Sequence, residues 1–323
     1  MNKGHAVRRA KGAEKPSVYR KSTSTAVFLA FRGVEITIEV IPQAPQNHQQ
    51  FALFMQSLPV QSNTTSAWAD WQRGTVDVRF WWTLARKDIL DRYRRSILGP
   101  IWLTISTSIA FMGMGPLYAT LFNVPLNKFF PHLALGVIFW TFINGTINDS
   151  CLCFVTAASY LKYRPYPLSV FIWRTLARNT IQLLHQLPVF LPIAYLTGII
   201  PSWQQLLVVP GLLLLIVILH AMAFIAAITC ARFRDVPQLV AAILQMVVFM
   251  TPVLWLPESL PKRAQALVNY NPFAQMIDVV RLPLLGQCPT PKTYLVLLVW
   301  AAVCCCFAAF LFTTCRRRLI YWL

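Results

Sequence analysis

Charge is scarce in this chain, and acidic charge scarcest. Only 12% of its residues are Asp, Glu, Lys or Arg, where a soluble domain carries about 25%. Eleven acidic residues stand against 29 basic ones, and the closest acidic pair, Asp88 and Asp91, lies in a basic helix. That scatter excludes a carboxylate-paired metal site at one face. No GxxxxGK(S/T) occurs, which excludes ATP hydrolysis through a phosphate-binding loop, and HExxH and GxSxG are missing as well. The eight cysteines show neither CxxC nor a Cys/His ligand spacing. Cys304, Cys305 and Cys306 are consecutive in one apolar run and Cys151 and Cys153 close another, so they read as small packing residues. No metal or cofactor is expected.

What fills the space is apolar. The chain is 56% hydrophobic with a mean hydropathy of +0.53, the composition of a membrane protein. The net charge of +18 raises nucleic acid as a partner. However, fifteen of the 29 lysines and arginines precede residue 100 and most others edge apolar runs, which suits anchoring at a membrane surface and not a phosphate-tracking groove. A membrane helix needs about 20 mainly apolar residues. Six such runs are present, near 101–122, 133–156, 180–200, 206–230, 239–256 and 294–315. The expected fold is therefore an all-α integral membrane domain over 68–323. Lysine and arginine concentrate in the N-terminal region, in Lys162–Arg178, in Arg232 and Arg234, and in Arg316–Arg318, which puts both termini on the cytoplasmic side.

Residues 1–67 differ from the rest. Their first 25 are basic and poor in apolar residues, as a disordered tail should be. Val34, Ile36, Ile38 and Val40 alternate as in a strand. A start assigned too far upstream would leave such a segment, with Met55 as another first residue.

Before the first apolar run, ARKDILDRYRRSILGPIW (85–102) has the makings of an amphipathic helix at the membrane surface. Leu84, Ile89, Tyr93 and Ile97 form its stripe, and Arg86, Arg92, Arg94 and Arg95 are among the charges crowding the other positions. Gly99-Pro100 ends it. Two loops on the same side stand out. SYLKYRPYPLSVFIWRTLAR (159–178) is a basic turn broken by prolines and then an amphipathic segment; ARFRDVPQ (231–238) presents Arg232, Arg234 and Asp235. Anchoring accounts for their charge but not for the proline-punctuated layout. Inside the runs, Asp149 with Asn144 and Asn148 is a candidate for a polar pathway, since ionisable residues in a membrane are functional by default. His185 and His220 read as neutral histidines bonded to a neighbouring helix. Phe139, Trp140, Phe142, Phe249 and Trp255 are candidates for an aromatic channel lining, although any one ring is more commonly a packing residue.

Taken in order, RKDILDRYRRSILGPIW, LKYRPYPLSV, ARFRDVPQ, TPVLW and YNPFAQMIDVVRLPLLG, closed by RRRLIYWL, resemble the ABC-2 type permeases of bacterial polysaccharide export, which carry O antigen, capsule or teichoic acid. The resemblance covers about 78–323 and says nothing of the tail. It implies six transmembrane helices with an N-terminal interface helix and short re-entrant helices within 257–286. It further implies a homodimer working with two copies of a separate ABC ATPase subunit, which binds the ATP. The substrate would be a lipid-linked polysaccharide crossing the bacterial inner membrane. Arg86, Arg92, Tyr93, Arg94, Arg95, Lys162 and Arg164 would form the interface helix and substrate access, and Tyr160, Tyr163, Arg232, Arg234 and Asp235 would couple to the ATPase. The alternatives are an ABC-2 permease for a drug or lipid, and a membrane glycosyltransferase, which the scattered acids disfavour.

Overall fold

The computed structural model of the protein describes residues 27–31, 34–38, 66–94, 99, 101–163, 166–259, 261 and 268–323. The chain divides into two units, 1–57 and 58–323. In the first, β1 (Val27–Phe31) pairs antiparallel with β2 (Val34–Ile38), with Val27 opposite Ile38 and Phe31 opposite Val34. This hairpin lies where the alternation suggests a strand, so the all-α description applies to the second unit alone. The basic segment 1–25 and Met55 lie outside the described residues.

In its described residues the second unit consists of helices joined by short turns. Two helices precede the first apolar run. α1 (Ala67–Val76) is capped by Ser66, whose hydroxyl accepts from the Ala69 amide at 3.1 Å, and Asp70 in its first turn suits the helix dipole. α2 (Val78–Tyr93) follows after a break at Asp77. Its buried face is Phe80, Leu84 and Ala85, one turn earlier than the predicted stripe of Leu84, Ile89, Tyr93 and Ile97. Next come α3 (Ile101–Leu121), α4 (Leu126–Cys151), the short α5 (Cys153–Thr156) and α6 (Ala158–Tyr163), and α7 (Ser169–Gln186). Pro188 turns the chain through a 3-10 segment, Leu187–Val189, into α8 (Phe190–Thr197), which ends on left-handed Gly198 at φ +73°. α9 (Val208–Arg232) and α10 (Val236–Met250) are followed by α11 (Pro272–Leu284) and α12 (Pro291–Trp322). The last two each begin with proline at the first helical position behind a capping Asn271 or Thr290.

Among the described residues, three stretches are long and apolar enough to cross a membrane: Leu126–Cys151, Trp203–Arg232 and Pro291–Leu319. α10 is apolar but shorter. The second run therefore starts seven residues before the predicted Leu133, while the third extends upstream: its helix begins at Ser169, not Thr180, and carries Arg174 and Arg178 within it. The upstream start of the third has a cause in packing: Arg174 and Arg178 join the helix because carboxylates on α2 and α4 pair with them. α4 lies at the centre, against α3, α7, α9, α10 and α11, and α9 and α12 run side by side. Phe129, Leu133, Ile138, Ile143, Leu215, Leu219, Ile277 and Val280 fill the main core. Large apolar side chains left outside include Ile109, Met112 and Leu117 on α3 and Ile243, Met246 and Phe249 on α10.

Candidate functional site

α1 sets the position of α7. Asp70, 2% exposed, receives the Ser169 amide at 3.3 Å, while the Ser169 hydroxyl donates to the Asp70 carbonyl oxygen at 2.8 Å. On its other side Arg316 Nε of α12 donates to Asp70 Oδ2 at 3.0 Å. Gly74 allows this approach, because a Cβ there would stand 1.9 Å from Ser169 Oγ and 2.9 Å from the Val170 amide nitrogen. One turn along α7, Trp173 Nε1 donates to Thr75 Oγ1 at 3.1 Å.

So placed, α7 presents Arg174 and Arg178, four residues apart, on one face. Arg174 grips Asp88 of α2 through two bonds, Nε to Oδ2 at 2.7 Å and Nη2 to Oδ1 at 2.5 Å. Arg178 joins two carboxylates: Nη1 lies 3.3 Å from Asp88 Oδ2, and Nη2 lies 2.7 Å from Asp149 Oδ2 on α4. Asn179 Nδ2 also donates to Asp149 Oδ2, at 3.0 Å. These side chains, 16–17% exposed apart from Asp149 at 30%, tie three helices together. Two carboxylates balance two guanidiniums.

A cavity of about 160 Å³ borders this network, lined by Arg92, Asp149, Cys153, Phe171, Arg174 and Arg178 among others. Arg92 is exposed and has no ion pair among the described residues, and Arg178 Nε is a buried donor with no hydrogen bond. The surplus is thus one positive charge plus one unused N–H, a combination that suits an anionic oxygen.

The predicted access residues are only partly gathered. Arg92 reaches the cavity, Arg86 and Arg94 are exposed on or beside α2, and Tyr93 is half-buried. Arg95 and Arg164 lie outside the described residues, as do the side chains of Lys162 and Tyr163. Tyr160 packs on Phe171 at 6.4 Å between ring centroids, with the Arg174 guanidinium 6.0 Å from its own centroid, so it abuts the same network. Arg232, Arg234 and Asp235 are exposed, and Arg232 stands 5.3 Å from the Trp322 ring, joining the α9–α10 turn to the end of α12.

Two of the aromatics named as channel candidates are covered within this chain. Phe139 and Phe142, 1% and 3% exposed, are core residues of α4, because the helices around them cover that face. Trp140 is half-buried against Phe273, Phe249 is exposed, and Trp255 donates to the Phe249 carbonyl at 3.0 Å. The histidine expectation also changes. His185 Nδ1 meets Ile181 O of its own helix at 2.7 Å, and both nitrogens of His220 lack a partner among the described residues.

Sequence reasoning missed Asp88, Arg174 and Arg178 as a unit, and missed a second polar centre. Arg281 of α11 is 1% exposed. Its Nη1 donates to the Pro252 carbonyl at 2.7 Å and lies 3.0 Å from His132 Nε2, while Nη2 pairs with Asp278. The signal in the sequence is an arginine three residues after an aspartate in an otherwise apolar amphipathic stretch.

The chain is 22% identical over 195 residues, 60% of its own length and 75% of the relative's, to each of two proteins named O-antigen export system permease protein RfbA from Klebsiella pneumoniae. It is 23% identical over 177 residues, 54% of its length and 66% of the relative's, to a protein of the same name from Myxococcus xanthus. The ABC-2 type transporter family matches residues 79–285, from the second residue of α2 to the end of α11. With its long apolar helices, this chain is a multi-pass membrane subunit of a transporter and belongs to the ABC-2 type transporter family.

Proposed function

We propose that the chain is the permease of an ABC transporter exporting a lipid-linked polysaccharide, of O-antigen or capsule type, across the bacterial inner membrane. The observation that carries the reading is the cavity where Arg92 meets Arg174 and Arg178 at the junction of α2, α4 and α7. A pyrophosphate linking glycan to lipid is a polyanion that guanidiniums engage bidentately. The names of the relatives point to the same cargo.

On this reading α3, α4, α7–α8, α9, α10 and α12 are the six spans, α2 is the interface helix, and both termini are cytoplasmic. α11 and the turn at Thr251–Trp255 are the outer re-entrant part. The outward apolar faces of α3 and α10 suit pairing with a second copy, and the remainder suits lipid. Two ATPase subunits would dock below, near Tyr160, Arg232, Arg234 and Asp235. Their closure would be transmitted through the Asp88–Arg174–Arg178–Asp149 chain, which links the interface helix to two spans. Of the channel candidates, Phe249, Trp255, Trp140 and Asp149 remain.

The test is deletion of the gene, with surface polysaccharide examined by gel and cytoplasmic lipid-linked glycan quantified. Loss from the surface with accumulation inside, reversed by the wild-type gene, is the expected result. Unchanged surface glycan would point instead to a drug or lipid cargo, and loss without accumulation to a biosynthetic role.

A further inference from the structure

The two carboxylates of the charged network are held unequally. Both oxygens of Asp88 are engaged, by two bonds from Arg174 and one from Arg178, and its side chain is 17% exposed. Among the described residues Asp149 is held through Oδ2 alone, by Arg178 Nη2 at 2.7 Å and Asn179 Nδ2 at 3.0 Å, and it is 30% exposed. Asp149 is also the one acid among the described residues that lines the cavity of about 160 Å³, against three guanidiniums, those of Arg92, Arg174 and Arg178. The carboxylate at the cavity is thus the more replaceable of the two.

The place that Asp149 Oδ2 occupies is suited to an anionic oxygen in general. Arg178 Nη2 and Asn179 Nδ2, from successive residues of α7, converge on it, and a bond from Asn179 Nδ2 to the Thr175 carbonyl at 3.0 Å aims the amide. A phosphoryl oxygen would accept the same two bonds. Arg92, exposed at the cavity with no ion pair among the described residues, is then left for a second phosphate. Charge decides the exchange. A phosphodiester carries the same single charge as the carboxylate it must displace, so nothing offsets its own lost hydration. A pyrophosphate brings a further charge for Arg92 to pair. The cytoplasmic leaflet is rich in anionic phospholipid, and guanidiniums without a carboxylate among them would stay occupied by it. Discrimination of this kind needs an element that disfavours the competitor.

We propose that Asp149 is a specificity-determining residue, whose carboxylate holds the place of the substrate anion on Arg178 and Asn179 and yields to a pyrophosphate but not to a monoanionic phospholipid headgroup. The inference rests on the reading of this cavity as the entry of a lipid-linked glycan.

The full chain in non-ionic detergent would be titrated calorimetrically with farnesyl diphosphate and with dioctanoyl phosphatidylglycerol. The wild type should prefer the diphosphate, and Arg92→Gln should weaken its binding. Asp149→Asn frees Arg178 while leaving it Asp88, and should tighten phosphatidylglycerol about tenfold more than the diphosphate, so that the preference shrinks by that factor. Asp149→Ser, whose hydroxyl can still accept from Asn179, is the second neutral variant should the first fail to fold. Asp149→Glu keeps the charge and should keep the preference. A preference unchanged in a folded neutral variant, or lost equally in Asp149→Glu, would overturn the role of Asp149 and leave the cavity as an anion site. Saturable diphosphate binding absent from the wild type, or indifferent to Arg92→Gln, would overturn the entry reading and this inference with it.

Discussion

Arg174 and Asp88 face each other as fork to fork, Nε to Oδ2 at 2.7 Å and Nη2 to Oδ1 at 2.5 Å, joining α2 to the second turn of α7. The pair is largely out of solvent, at 16% and 17% side-chain exposure, so losing one partner strands the other. Asp88→Ala should lower stability by about 3 kcal/mol, read as a fall in Tm of the detergent-purified protein. Arg174→Lys should recover little of the loss in the opposite partner, because an ammonium cannot reproduce the two parallel bonds.

Arg92 differs in kind. It is exposed, has no ion pair among the described residues and lines the cavity beside Arg174 and Arg178. Arg92→Gln should leave expression and Tm unchanged while reducing surface polysaccharide severalfold on a gel. An unchanged gel would remove Arg92 from the path of the substrate.

The close approach at Gly74 makes a third prediction. A methyl there meets Ser169 Oγ at 1.9 Å and the backbone nitrogen of Val170 at 2.9 Å. Gly74→Ala must push α1 from α7 and so strain the Asp70 contacts with Ser169 and Arg316. Overpacking of this kind costs roughly 1–3 kcal/mol. Adding Ser169→Gly should restore Tm only in part, since the Val170 nitrogen remains in the way.

Much of the helical layout was legible in the sequence because an apolar run of about twenty residues admits few alternatives. α3, α9 and α12 fall close to the runs at 101–122, 206–230 and 294–315. The start of α7 was not legible. Arg174 and Arg178 resemble loop charges until Asp88 and Asp149, from helices distant in sequence, are seen to neutralise them. Phe139, Phe142 and Phe249 show the same limit on the apolar side. All three sit in apolar runs, and only the neighbours of α4 and α10 decide that the first two are covered and the third exposed. Arg92 was legible as part of a basic helix, but its nearness to Arg178 was not.

Asp77, at the break between α1 and α2, supplies a pH-dependent test outside the spans. Burial pushes its carboxyl above the usual aspartate value, against a smaller opposing effect of the hydrogen bond with the Phe80 backbone. A carboxyl raised in the folded state contributes stability when protonated, and that contribution is lost as pH rises through the ordinary and then the folded value. Asp77→Asn should therefore raise Tm slightly at pH 7 and leave it unchanged near pH 3, when measured in one detergent across both conditions.

Arg281 tests whether α11 is held against the turn after α10 by charge or by shape. It is 1% exposed, pairs with Asp278 in its own helix, and donates to the Pro252 carbonyl at 2.7 Å, fastening α11 to the turn after α10 beside His132 of α4. Gly136 adds to the tightness, since a Cβ there would stand 3.1 Å from the Val253 carbonyl oxygen and 3.4 Å from Arg281 Nη1. Arg281→Met keeps a long flexible side chain but leaves Asp278 and the Pro252 carbonyl unmatched, which should cost about 3–5 kcal/mol. Replacing both members, Arg281→Met with Asp278→Leu, removes the stranded charge and should recover most of that loss in Tm, because an ion pair exchanged for apolar side chains is often nearly neutral. If the double variant is no more stable than Arg281→Met alone, the bond to the Pro252 carbonyl, and not the charge pair, is what holds α11 in place.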